Sequence, residues 1–233
     1  MTAWLDRATA NLPDFRSRIG LAHFGRVTVA PSSDALRDEI ATAIASMLQQ
    51  GDDWPVTPDE WSKGVRGLLR QSGFRPTGRA KPASEYLLRT LAESREFTFI
   101  NNLVDINNLL SLQTFLPMSV LDASEFRGAL QMRIAQAGER YVFNQAGHEI
   151  DLKDLLVVAD TMDDGGPSRP LGNPIKDSMA GKLRDTTPSA VAIVYAPLEM
   201  VDEAAMATIL ADWVRLVEAH AGGAESSTRQ LTT

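Results

Sequence analysis

The sequence predicts an α+β fold in which a mixed or antiparallel sheet is flanked by helices. Three observations carry this expectation. Segments such as IGLAHFGRVTVA (19–30) and AVAIVYA (190–196) are rich in β-branched and small apolar residues and read as strands. Between them lie stretches with apolar residues three and four apart, opened by helix-capping signals and closed by glycine or proline clusters. The 233 residues, 44% of them hydrophobic, suffice for a substantial core and contain no internal repeat. Residues 1–221 are therefore expected to form a single domain, and 222–233 a disordered polar tail.

Taken in order, the strand at 19–30 is followed by Pro31-Ser32-Ser33-Asp34, a turn and N-cap that should open a helix running to about Gln50. Gly51-Asp52-Asp53-Trp54-Pro55 breaks it. Thr57-Pro58-Asp59-Glu60 then starts a second helix with Trp61, Val65, Leu68 and Leu69 facing inward. The loop GFRPTGRAKP (73–82) leads to a third helix opened by Ser84. Phe97 to Ile100 reads as a short strand, and VDINNLLSL (104–112) as a helix loaded with asparagine and aspartate on one side, groups that need partners if buried. Strands are expected at 131–135, 140–143, 150–152, 155–159 and 190–196. The segment from Asp160 to Thr187, rich in glycine, proline and aspartate, has the composition of a functional loop. An amphipathic helix over 202–219, with Ile209, Trp213, Leu216 and Val217 inward, follows the last strand.

Composition narrows the chemistry. With no cysteine there is no disulfide, thiolate nucleophile or cysteine-ligated zinc. The N-terminus lacks a basic, apolar leader and no stretch has the length of a membrane span, which predicts a cytoplasmic protein without a membrane partner. A net charge of −7 opposes bulk binding to nucleic acid, so no DNA partner is expected. The charge is uneven, however. Residues 61–95 hold eight basic side chains against Glu85 and Glu93, a net +6 that leaves −13 for the remainder. Such a stripe is either a solvated helix face or a contact for one phosphate-bearing ligand. Phosphate-binding, dinucleotide and zinc-protease motifs are absent, and His23, His148 and His220 stand far apart in sequence, so neither a metal nor a cofactor is expected.

The most distinctive run is Ile100-Asn101-Asn102-Leu103-Val104-Asp105-Ile106-Asn107-Asn108, continuing through Ser111 and Leu112 to Leu116-Pro117-Met118-Ser119-Val120-Leu121-Asp122. It resembles the editing domain of the phenylalanyl-tRNA synthetase beta subunit, a B3/B4-type domain. An asparagine-rich opening, a valine-aspartate pair, an asparagine in the following helix, and then a proline and an aspartate fall in register without a gap. Ala137-Gly138-Glu139-Arg140, Ile150-Asp151-Leu152 and Asp185-Thr186-Thr187 agree in order, so the resemblance covers roughly residues 97 to 196. Gly73-Phe74-Arg75-Pro76 and the segment from Lys81 to Arg89 look like stand-alone relatives of that domain.

The resemblance implies a B3/B4-like editing fold and a hydrolase that removes a wrong amino acid from tRNA, acting in trans. It assigns Asn107, Pro117 and Ser119 to the amino-acid pocket. Ser119 stands where the synthetase has a histidine, and the strand at 190–196 holds no carboxylate where the synthetase has a glutamate. Hydrolysing an aminoacyl ester mainly requires holding the ester, placing a water and stabilising the oxyanion. Asn107 and Ser119 are the candidate catalytic residues. Asn102, Asp105, Asn108, Pro117, Asp122, Glu85 and Asp177 are the candidates for substrate binding, and Arg75, Arg79 and Lys81 for tRNA phosphates. Carboxylates around a pocket widened by serine suit a cationic side chain, and resemblance to freestanding relatives points to canavanyl-tRNA for arginine. For Asp105, Asn108 and Asp122 the plainer reading is helix capping and turn bracing. The alternatives are a non-catalytic tRNA- or aminoacyl-binding module and an amino-acid sensor on the same fold.

Overall fold

The computed structural model describes residues 3–12, 14–49, 59–78, 80–161 and 166–233. In chain order the elements are α1 (Ala3–Asp6), β1 (Thr9–Asn11), β2 (Ser17–Val27), α2 (Asp34–Leu48), α3 (Asp59–Arg70), α4 (Ala83–Ser94), α5 (Asn102–Thr114), β3 (Met118–Asp122), β4 (Leu130–Ile134), β5 (Arg140–Val142), β6 (Glu149–Asp151), β7 (Leu156–Asp160), β8 (Arg169–Gly172), β9 (Ser189–Pro197), α6 (Glu203–His220) and β10 (Gly222–Thr232). The fold is α+β with mixed sheets, as the sequence predicts. One sheet runs β10-β2-β9-β3, antiparallel throughout; a second runs β1-β4-β7-β8, parallel only between β1 and β4; β5 and β6 pair as a separate hairpin.

The run at 190–196 explains the layering. Side chains alternate across a strand, so Ala190, Ala192, Val194 and Ala196 of β9 pack with α5 and α6 through Leu103, Ile106 and Trp213. Val191, Ile193 and Tyr195 pack on the other face with Met132, Leu156 and Val158 of the second sheet. A strand covered on both faces has no polar side, which is why it reads as an unbroken apolar run. Three helices start where the sequence places a side-chain cap: Ser33 accepts from the Leu36 amide, Asn101 from the Val104 amide and Asp202 from the Ala205 amide.

Three expectations are corrected. Residues 222–233 are not a disordered tail; β10 pairs along β2 from Gly222 opposite Val27 to Thr232 opposite Arg18. Gly222 and Gly223, with φ of +85° and +73°, turn the chain out of α6. The serine- and threonine-rich strand that follows lies at the sheet edge, exposed or half-buried along most of its length, so its polarity mimics a solvated tail. Phe97 to Ile100 form no strand. Phe97 and Phe99 pack edge to face with centroids 5.1 Å apart, and the Ile100 amide donates to the Asp105 carboxylate instead of a neighbouring strand. Within the segment from Asp160 to Thr187, β8 forms at Arg169–Gly172. In α3, Val65, Leu68 and Leu69 are buried and Trp61 is half-buried. The breaker at Gly51 to Pro55 and the Thr57-Pro58 pair lie outside the described residues.

Candidate active site

Because β3 ends its sheet, its outer edge is free to face other elements. Along it α4, α5 and the chain around 175–183 enclose a cavity of about 550 Å³. Met118, Val120 and Leu121 of β3 line one wall, and Leu87, Val104, Ile175 and Leu183 add apolar surface. The polar groups are few, as in an amino-acid-sized binding site. Asn107 and Asn108 come from the middle of α5, and Asp177, Lys176 and Lys182 from the later segment.

Asn107 is buried, its Oδ1 has no hydrogen-bond partner, and its Nδ2 makes only a long 3.4 Å contact to Asn108 Oδ1. A buried amide oxygen without a partner is rare. Asp177 is half-buried, and Ser119 Oγ donates to its Oδ1 at 2.7 Å. Burial pushes the Asp177 carboxyl up to about 7, opposed by the Ser119 hydroxyl, the Asn173 backbone N–H and the charge of Lys182. Behind Ser119, the Tyr195 hydroxyl lies 3.2 Å from Ser119 Oγ, and Tyr195 is fully buried. Ser119 is itself 1% exposed, so it reaches the cavity through Asp177.

The other sequence candidates separate from this group. Asn102 is saturated by backbone: Oδ1 accepts from the Ala30 and Leu103 amides, and Nδ2 donates to the carbonyls of Thr28 and His220. Asp105 is fully buried; one oxygen accepts from Ser32 Oγ at 2.5 Å and the other from the Ile100 amide at 2.8 Å. Asp122 accepts from Ser124 and from Thr187 Oγ1, bracing two turns. Their assignment to substrate binding is therefore replaced by a structural one, since none lines the cavity and each has its oxygens committed to neighbours. Pro117 is also off the cavity wall; its carbonyl accepts from the Tyr195 amide. Glu85 forms a two-pronged ion pair with Arg66, both contacts 2.6 Å, and borders a separate 280 Å³ groove with Lys81, Tyr86 and Arg89. Arg75 is exposed, and Arg79 lies outside the described residues.

Sequence reasoning missed Tyr195, Phe143, Lys176, Lys182 and Tyr86. Only pairing across β3 and β9 brings Tyr195 to Ser119, and the apolar run around Tyr195 gave it no distinguishing signal. Chemically the cavity offers one carboxylate, Asp177, with three amides, Asn101, Asn107 and Asn108, the lysines Lys176 and Lys182 and the phenol of Tyr86, within a largely apolar wall. No helix among the described residues is long and apolar enough to cross a membrane.

Comparison with known proteins identifies the family. The model of the family described as B3/4 domain matches residues 75–194. The phenylalanine–tRNA ligase beta subunit of Pseudomonas savastanoi pv. phaseolicola is 27% identical over 153 residues, covering 65% of this chain and 18% of that protein. That of Lactobacillus acidophilus is 38% identical over 61 residues, 25% of this chain and 8% of that protein. The chain thus spans less than a fifth of the length of these relatives. An N-terminal fragment of the phenylalanyl-tRNA synthetase beta-subunit from Pyrococcus horikoshii is a distant structural neighbour, with a TM-score of 0.43 at 10% identity, over 95% of this chain and 50% of that one. With the family model covering more than half of its residues, the chain belongs to the B3/4 domain family.

Proposed function

We propose that this chain is a trans-acting aminoacyl-tRNA deacylase of the cytoplasm, hydrolysing the ester between a misplaced amino acid and its tRNA. The observation that carries this reading is that one cavity is lined both by an amide whose oxygen has no partner, Asn107, and by a half-buried carboxylate, Asp177, on the segment matched to the family. Asn107 and Asn108 hold the ester and a water, and the ribose hydroxyl next to the ester assists proton transfer. Asp177 takes the amino-acid side chain. A carboxylate kept in mostly apolar surroundings is stabilised by a planar cation through paired hydrogen bonds. Canavanyl-tRNA for arginine, whose side chain is a guanidino-oxy group, is the substrate we put forward. Ser119 acts as a positioning residue, holding Asp177 through the 2.7 Å hydrogen bond.

The test is release of amino acid from a panel of mischarged tRNAs, including canavanyl-tRNA for arginine and tyrosyl-tRNA for phenylalanine, with wild type, Asn107→Ala and Asp177→Asn. Rapid release of one cationic amino acid, lost in both variants, supports the deacylase. A second reading rests on the lining, which among the described residues holds no histidine: a module that binds charged tRNA without cleaving it. Tight binding with no release from any member of the panel selects that module.

A further inference from the structure

If an aminoacyl group occupies the cavity, the ester bond forces the terminal nucleoside of the tRNA to sit at its mouth. Two of the residues that line the cavity are unusual. Ile100 is 62% exposed, the one large hydrophobic side chain left so exposed among the described residues, and it borders the cavity. Phe143, at the end of the β5–β6 hairpin, borders it as well. Its ring stacks on that of His148, with centroids 6.2 Å apart and planes 27° apart, and Lys176 Nζ lies 4.1 Å from its centroid. The hairpin is held rigid at this point: the Phe143 amide donates to the His148 carbonyl at 3.0 Å, and the Asn144 side chain bonds both the amide and the ring of His148. A half-buried aromatic ring, an exposed aliphatic side chain and a cation lining one cavity are the components from which a platform for an unpaired nucleobase and its backbone is built.

Resting on the deacylase reading, we propose that Phe143, with Ile100 and Lys176, forms the subsite for the 3′-terminal adenosine of the tRNA. The base packs on the apolar surface of Phe143 and Ile100. Lys176, whose Nζ lies over the ring 4.1 Å from its centroid, swings aside to admit the base and supplies positive charge to the adjoining phosphate. This assigns to the β5–β6 hairpin, which pairs with neither of the two larger sheets, a role in gripping nucleic acid. It also explains why the chain leaves Ile100 in water.

The test compares binding of two uncleavable probes by fluorescence titration: an amide-linked 3′-aminoacyl-adenosine and the same amino acid as a simple amide. Wild type is expected to prefer the adenosine probe. Phe143→Ala should reduce that preference about tenfold, the range for loss of one base–aromatic stack, and Phe143→Trp should retain it. Near-ultraviolet circular dichroism checks that each variant is folded, and Ile100→Ser gives a second reading should Phe143→Ala fail to fold. A wild type that binds both probes equally, or a folded Phe143→Ala or Ile100→Ser variant that keeps the full preference, overturns the adenosine subsite alone. A wild type that binds neither probe overturns the aminoacyl pocket too.

Discussion

The first turn of α5 and the segment around Asp177 each bury a carboxylate, and they treat it in opposite ways. Asp105 is fully buried with both oxygens bonded to donors on neighbouring segments, one from Ser32 and one from Ile100. Asp177 has Ser119 on one oxygen and borders an open cavity. Burial raises the pKa of both, and in both hydrogen bonds pull it back. The difference is geometric. The Asp105 bonds stitch α5 to the segment before α2 and to the chain before α5, whereas Asp177 lines the cavity in which we propose a substrate binds. One carboxylate serves the fold, and the other, on the proposed reading, serves a ligand.

The largest expected effect breaks this comparison on the structural side. Asp105→Ala removes the acceptor for two donors in a closed environment and should destabilise the protein by about 3 kcal/mol, read from urea unfolding. Asp177→Ala, by contrast, should cost little. Equal losses for the two would mean that Asp177 is also a brace.

The next sharpens it through pH. A folded-state pKa raised to about 7 means that the native protein holds the Asp177 proton more tightly than the unfolded chain. That contribution to stability is complete below the unfolded carboxyl's value near 4, declines as pH rises towards 7, and is absent above it. Asp177→Asn, which cannot ionise, should therefore melt higher than wild type at pH 8 and at nearly the same temperature at pH 4, while losing at least tenfold in release of a cationic amino acid. Thermal midpoints across that range decide it. A wild type that gains on the variant as pH rises would reverse the argument.

How far the site was legible follows from the same contrast. The asparagine-aspartate run on α5 announced itself, but the sequence gives no sign of which members turn towards neighbouring backbone and which towards a cavity. Asn102 and Asn107 are five residues apart on one helix; the first is saturated by the ends of β2 and α6, elements distant in sequence, and the second is not. Strands covered on both faces, such as β9, and helices with side-chain caps were readable because their signals are local. β10 was not, since a polar edge strand and a solvated tail share a composition. Likewise, the contact between Tyr195 and Ser119 exists only through strand pairing.

A smaller effect is expected one step behind the cavity. Ser119→Ala removes the hydroxyl that favours the ionised form of Asp177, so the carboxyl should climb further. The rising limb of the pH profile for deacylation should move upward by about one unit at most, since one hydrogen bond is worth roughly 1 kcal/mol. Tyr195→Phe, acting through Ser119, should move it in the same direction by less. A general loss of turnover at every pH, with no shift of the profile, would assign Ser119 to the chemistry itself.

The smallest effect concerns the basic stripe, where the cavity's availability should end and ordinary surface begin. Arg66 and Glu85 neutralise each other at 2.6 Å, and of the cations that line the groove Glu85 borders, Arg89 lies 3.7 Å from Glu93, which leaves Lys81. If tRNA phosphates pass here, Lys81→Ala should weaken tRNA binding a few-fold and lower the slope of log affinity against log salt by about 0.7 to 0.9, the value for one phosphate contact. Arg75→Ala should behave in the same way, with neither variant changing thermal stability measurably, because exposed charges contribute little to folding. A slope that stays at its wild-type value in both variants would make the stripe a solvated face. Recognition would then fall to the cavity and its rim, a grip that salt barely weakens and that suits a protein of net charge −7.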